Sequence, residues 1–219
     1  MRRTAAAVAL TLSLGGAFVP LLARPLLLTE YSSFQVNLVF KIYLWVLALS
    51  VWAIALRWEK LAPEKIGLCR ISWQSARQAV GIGVLLIIGI IVASSVIFAI
   101  LDPASHGEPL PAYSVGLWFF TVVTAAFTEE TLYRAYPIGR LEALTGSVWP
   151  GAIITLVLFV VVHMGTNSVV EMLFIITPVG AAMTGLYLWK RNFLFVVIVH
   201  FVVDSHLWIR PLLAAIAGD

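Results

Sequence analysis

The chain has 219 residues, of which 61% are hydrophobic and only 11% charged, with a mean hydropathy of +1.00. That composition excludes an ordinary soluble domain and predicts an all-α transmembrane helix bundle of about seven spans, a single integral membrane domain over 1–219. The net charge of +3 goes with basic loops and not with nucleic-acid binding, since no basic stripe with aromatics between its charges is present, and the single Cys69 excludes an intrachain disulfide and a CxxC site.

In chain order, Met1, Arg2 and Arg3 open a basic region before an apolar run, 5–28. The pattern fits a cleavable signal peptide, with Gly15 and Ala17 as a small-x-small site, or an uncleaved first span. The run continues well beyond that site, so an uncleaved span is expected. Gly15, Gly16 and Pro20 predict close packing or a kink within it. Residues 29–37 read as a polar loop, 38–56 as the second span and 80–101 as the third. The loop between them, 57–77, carries Arg57, Lys60, Lys65, Arg70 and Arg77 and is broken by Pro63 and Gly67. Residues 102–111 form a loop with three prolines and neither Lys nor Arg. A fourth span, 112–136, is followed by a short interfacial turn or helix over 137–146, and then by spans at 148–164, 169–189 and 193–209.

Positive charge supports this segmentation. With the N-terminus in the cytoplasm, the cytoplasmic segments collect Arg2, Arg3, the five basic residues of 57–77, Arg134, Arg140, Lys190 and Arg191 out of 14 Lys and Arg. Only Arg24, Lys41 and Arg210 fall elsewhere.

The stretch that stands out is TEETLYR, 128–134, at the end of an apolar run. Ionisable groups in or at the end of a membrane helix are costly unless paired or used. Glu130 and Arg134 are four apart on one helix face and can pair, while Glu129 is turned about 100° away and can face something else. A charged helix end with Arg134 reaching lipid headgroups is the other reading of this stretch alone.

Downstream, FVVVH places Phe159 and His163 on one face of the fifth span, and HFVVD places His200 and Asp204 on one face of the seventh. A carboxylate four residues from a histidine can orient its ring, as part of a reaction or as a structural pair. Glu171 reads as an interfacial acid, and His106 and His206 as residues without a role. Ionisable side chains from three separate spans are tolerable in a membrane when gathered in one interior cavity.

Together these residues resemble the CAAX-processing and bacteriocin-processing (CPBP) family of intramembrane glutamic endopeptidases. The family carries EExxxR, FxxxH and HxxxN or HxxxD on successive membrane helices. Here they stand as Glu129, Glu130 and Arg134, then Phe159 and His163, then His200 and Asp204, with Arg191, Asn192 and Phe193 as the approach to the last block. The resemblance covers about 115–209 and places a catalytic core at about 112–210. It implies peptide hydrolysis without a metal or cofactor. Glu129 would be the general base on a water shared with His163, and His200 with Asp204 would stabilise the oxyanion. Glu130 and Arg134 would support Glu129, and Phe159 would keep water from His163. Asp204 departs from the Asn of the prenyl-protein proteases; an ionised Asp cannot donate a hydrogen bond, so it is expected to orient His200.

A shared water requires Glu129 and His163 at one depth. His163 lies about 21 Å along its helix from Trp149. Either the fourth helix continues past Arg134 with the arginine buried, or the fifth starts outside the hydrocarbon and tilts, and some mixture of the two is expected. Other readings are a zinc-dependent membrane protease, although HExxH is lacking; a non-catalytic immunity or scaffold protein on the same fold; and a proton-coupled transporter. The expected partners are the lipid bilayer and a peptide or protein substrate, itself membrane-associated or not, and no nucleic acid. The expected location is a bacterial inner membrane, N-terminus in the cytoplasm.

Overall fold

The computed structural model describes residues 2–101, 113–164 and 167–217, and among these every regular element is a helix. The predicted loop 102–111, with His106, lies outside the described residues.

Helix α1 (Arg2–Leu10) runs through a wide π-helical turn, Thr11–Gly16, into α2 (Val19–Leu27), and the pair bends by 43°. The glycines at the bend are where close packing was expected. A Cβ at Gly16 would lie 2.8 Å from Leu47, and the Gly16 carbonyl accepts from the Tyr43 hydroxyl at 2.8 Å. Helix α3 (Ser33–Ala53) starts at a capping box, in which Ser32 and Gln35 each satisfy the other's backbone N–H. It ends in a second π turn, Ile54–Trp58, and a short turn, Pro63–Ile66, leads to α4 (Trp73–Leu101). Much of α4 is left uncovered by protein, with Leu85 and Ile100 about 70% exposed, as a lipid-facing helix should be.

Helix α5 (Val115–Glu130) is capped by Ser114 and continues through a π turn, Thr131–Ala135. Pro137 then starts α6 (Pro137–Thr145), where its missing N–H costs nothing, so the interfacial segment is a helix. Helix α7 (Val148–Val162) follows, then a single turn, α8 (Val169–Glu171), a π turn, Met172–Ile176, and α9 (Thr177–Lys190). Glu171 serves α8 as a cap: its carboxylate accepts from the Ser168 N–H at 2.7 Å, in keeping with an acid that has no part in chemistry. Helix α10 (Phe193–Asp204) bends by 40° into α11 (His206–Ala217).

Among the described residues three helices are long and apolar enough to cross a membrane, Ser33–Trp58, Trp73–Leu101 and Val169–Lys190, and up to five if each bent pair is one span. The expected count of about seven is therefore approximate. The fifth expected span is only the 15 residues of α7, about 22 Å of helix against a hydrocarbon core of about 30 Å. The fourth is interrupted by its own charges, Glu129, Glu130 and Arg134.

Helix α10 is the centre of the bundle. Phe193, Phe195, Val196 and Val199 are at most 1% exposed and pack with α4, α5 and α9. In lipid, helices gain little by hiding apolar surface from one another, so close approach and interhelical hydrogen bonds hold them. Both occur. A Cβ at Gly83 of α4 would lie 2.7 Å from Val202 of α10, so only glycine permits that approach. Between α3 and α5, the Trp45 indole N–H donates to the Thr124 hydroxyl and that of Trp52 to the Thr131 hydroxyl, both at 2.9 Å.

Candidate active site

The site is built on the end of α5. Along that helix Thr121, Thr124, Thr128 and Thr131 each donate to the carbonyl four residues back, at 2.7 to 2.8 Å, which satisfies their hydroxyls inside an apolar helix. The helix does not stop at Glu130 but carries on through the π turn, a feature common where helices serve function. Arg134 is fully buried. Of the expected mixture, one part is found: the helix continues past Glu130 with the arginine inside. The headgroup-reaching alternative for Arg134 is excluded by that burial.

Glu130 is the hub. Its Oε1 accepts from Arg134 Nη1 at 3.0 Å and lies 2.7 Å from His200 Nδ1, and both carboxylate and guanidinium are wholly buried. Arg134 also donates to the Gly180 carbonyl at 3.4 Å, and its guanidinium lies 4.2 Å from the centre of the Phe159 ring. Phe159 therefore supports the arginine as well as packing against His163, whose ring centre is 4.7 Å away. Tyr133 closes the other side of Phe159 in an edge-to-face contact at 5.4 Å.

His200, on α10, is enclosed by carboxylates. Beyond Glu130 at Nδ1, its Nε2 is 3.4 Å from Asp204 Oδ2 and 3.9 Å from Glu129 Oε2. The expected pair with Asp204 is present. The shorter contact is with Glu130, a partner that the spacing on a single helix cannot reveal. At 3.9 Å the Glu129 contact is longer than a hydrogen bond.

His163 caps the C-terminal end of α7. Its Nδ1 is 2.7 Å from the Phe159 carbonyl, an acceptor only, so Nδ1 carries the proton and Nε2 is the acceptor of the neutral ring. Glu129 and His163 line one cavity of about 260 Å³. Arg24 of α2 and Asn37 and Lys41 of α3 line it too, as does Tyr133. The sequence reading gave those four residues no role. A signal for two of them was present: Arg24 and Lys41 were among the three cations that the positive-inside pattern left over. His206 is elsewhere, with Nδ1 3.0 Å from the Val203 carbonyl. Among the described residues no three His, Cys, Asp or Glu side chains are grouped as a metal-binding set.

A helical membrane protein whose bundle buries a Glu–Arg–His cluster behind a cavity with a second Glu and His has the make-up of a membrane hydrolase. Residues 111–206 match the family model described as type II CAAX prenyl endopeptidase, Rce1-like, a family of membrane proteases. Glu129, Glu130, Arg134, Phe159, His163, His200 and Asp204 all fall within the matched residues, whereas Arg24, Asn37 and Lys41 do not. No curated protein and no solved structure gives a significant match to the chain.

Proposed function

We propose that the protein is an intramembrane endopeptidase that hydrolyses a peptide bond with a water activated by Glu129 and His163. The observation that carries this is that both side chains line the same cavity while Glu130, Arg134 and His200 are locked together behind it. Glu129 takes one proton of the water, and His163 Nε2 accepts the other in a hydrogen bond, which aims the oxygen lone pair at the scissile carbonyl. As the tetrahedral intermediate collapses, the proton held by Glu129 passes to the leaving amine. His200, its ring fixed at Nδ1 by Glu130, donates its Nε2–H to the oxyanion when protonated, and Asp204, which faces that same nitrogen at rest, gives up the contact as the intermediate forms. Arg134 neutralises Glu130, so that the carboxylate can hold His200 without an unpaired buried charge. The whole chain is read as one domain with its catalytic core over 112–210, in a bacterial inner membrane with the N-terminus in the cytoplasm. The substrate is a peptide or protein of the membrane or its surface.

The test is terminal-peptide proteomics on membranes carrying the wild-type protein or Glu129→Gln. Glutamine preserves size and removes the base, and loss of a positioned general base costs about 10²–10⁴-fold. New termini formed only by the wild type are expected, unaffected by a chelator. Identical termini in the two samples would turn the reading to a non-catalytic scaffold or immunity protein, and chelator-sensitive termini restored by zinc would turn it to a metalloprotease.

A further inference from the structure

The π turn that carries Arg134 leaves the Leu132 carbonyl without a partner from its own helix. In a regular α-helix that carbonyl would accept from the N–H four residues on, that of Tyr136. Here the Tyr136 N–H reaches back five residues instead, to the Thr131 carbonyl at 3.4 Å. The partner that a π turn would give Leu132 is the next residue, Pro137, which has no N–H. Leu132 is 1% exposed, a place where an orphaned carbonyl is costly. The donor comes from 119 residues earlier: the Ser13 hydroxyl donates to the Leu132 carbonyl at 2.5 Å.

Ser13 is itself fully buried, in the π turn Thr11–Gly16 between α1 and α2, and this turn packs against the one that follows α5. A serine inside a helix commonly returns its hydroxyl to its own backbone, as Ser95 of α4 does to the Ile91 carbonyl at 2.8 Å. Ser13 gives its hydroxyl to another helix, and the turn it holds touches the site on both sides. Tyr133, next after Leu132, closes on the ring of Phe159, and the Phe159 carbonyl holds His163 Nδ1. Arg134 is bonded to the Glu130 oxygen that also faces His200 Nδ1. Leu132 lines the cavity beside Glu129. A shift of this turn therefore reaches both histidines together.

We propose that Ser13 is a positioning residue of the site: its hydroxyl supplies the donor that the turn after Glu130 lacks, and thereby fixes Tyr133, Arg134 and, through them, His163 and His200. Ser13 lies outside the residues that match the family model, so this anchor is contributed by the first helical pair of the chain. Its importance for catalysis rests on the proteolytic reading above, whereas its hold on the two histidines is open to measurement without turnover.

The full chain is prepared in detergent micelles with isotope-labelled histidine and followed by NMR; there are four histidines, and His163→Gln and His200→Gln assign the two signals of interest. Well below the melting temperature of each variant, Ser13→Ala should shift the ring signals of both His163 and His200, because the folded site has moved. A serine that served stability alone would lower the melting temperature and leave the folded-state signals in place. Ser13→Thr keeps the hydroxyl and should return both signals to their wild-type positions, and Ser95→Ala should leave them there. Termini formed by the wild type should appear about 10–100-fold more slowly with Ser13→Ala, the scale of a catalytic group misplaced by up to about 1 Å, and close to the wild-type rate with Ser13→Thr. A wild-type signal for either histidine in Ser13→Ala, a Ser13→Thr variant that behaves as Ser13→Ala does, or moved signals with an unchanged rate would overturn the assignment. If the wild type forms no termini while the histidine signals move as stated, Ser13 stands as the anchor of the turn and the proteolytic reading falls instead.

Discussion

Arg134→Met is the substitution that probes the site's foundation. Methionine fills much of the volume but leaves Glu130 as a carboxylate in a fully buried position. Breaking a buried ion pair by removing one partner costs about 3–5 kcal/mol. Here the low end applies, because His200 Nδ1 remains 2.7 Å from the same oxygen and can answer part of the charge. Loss of the guanidinium from the Phe159 ring, 4.2 Å away, adds about 1 kcal/mol. A total of about 4 kcal/mol corresponds to roughly a thousandfold in the folding equilibrium. The double variant Glu130→Gln with Arg134→Met removes both charges and should be more stable than Arg134→Met alone, with a coupling of about 2–3 kcal/mol. The assay is equilibrium unfolding in mixed micelles titrated with a denaturing detergent, followed by fluorescence of the eight tryptophans. Were Arg134→Met to stay within about 1 kcal/mol of wild type, or the double variant to cost the sum of the singles, the buried pair would not be what holds the site.

Three more substitutions test the packing around it. Gly83→Ala would put a Cβ 2.7 Å from Val202 and should cost about 1–3 kcal/mol, whereas Gly89→Ala on the same helix meets nothing within 4 Å and should be neutral or stabilising by about 0.5–1 kcal/mol; thermal melts in detergent compare the two directly. Tyr136→Phe removes the hydroxyl that donates to the buried Glu59 but leaves Arg140 Nη2 on that carboxylate at 2.8 Å, so a loss of about 1–2 kcal/mol is expected in the same melts, with proteolytic activity kept. The Thr184 hydroxyl is buried without a hydrogen-bond partner among the described residues, so Thr184→Val should be neutral or stabilise by about 1 kcal/mol; a clear destabilisation would contradict that assignment.

The site was legible in the sequence to the extent that charge inside an apolar run is conspicuous. Glu129, Glu130, Arg134, His163, His200 and Asp204 announce themselves because lipid tolerates few such groups. What pairs with what was legible only within one helix, where a spacing of four puts Glu130 beside Arg134 and His200 beside Asp204. The Glu130–His200 contact joins residues 70 apart in the chain and depends on how α5 and α10 are packed. Glu59 was hidden for the opposite reason. Between Arg57 and Lys60 it looks like an ordinary loop acid, yet it is 2% exposed because Tyr136 and Arg140 close over it. The number of crossings was read less well, since periodicity locates apolar runs but not their bends. The glycines and Pro20 of the first run did mark its kink. Arg24 and Lys41 fell outside the positive-inside pattern, and both line the cavity of Glu129 and His163.

The two tryptophan–threonine contacts that α3 makes with α5 and the turn after it set the depth of Glu129. Trp45 and Trp52 are seven residues apart, as are Thr124 and Thr131, and the pairs run in the same order along both helices. α5 can therefore keep such pairing only by sliding a whole repeat, about 10 Å of helix. Smaller slides lose both contacts together. The vertical position of Glu129 is thus gauged against α3 and not against the bilayer, and lipids of different thickness should tilt or stretch the whole bundle while leaving the height of Glu129 on α3 unchanged.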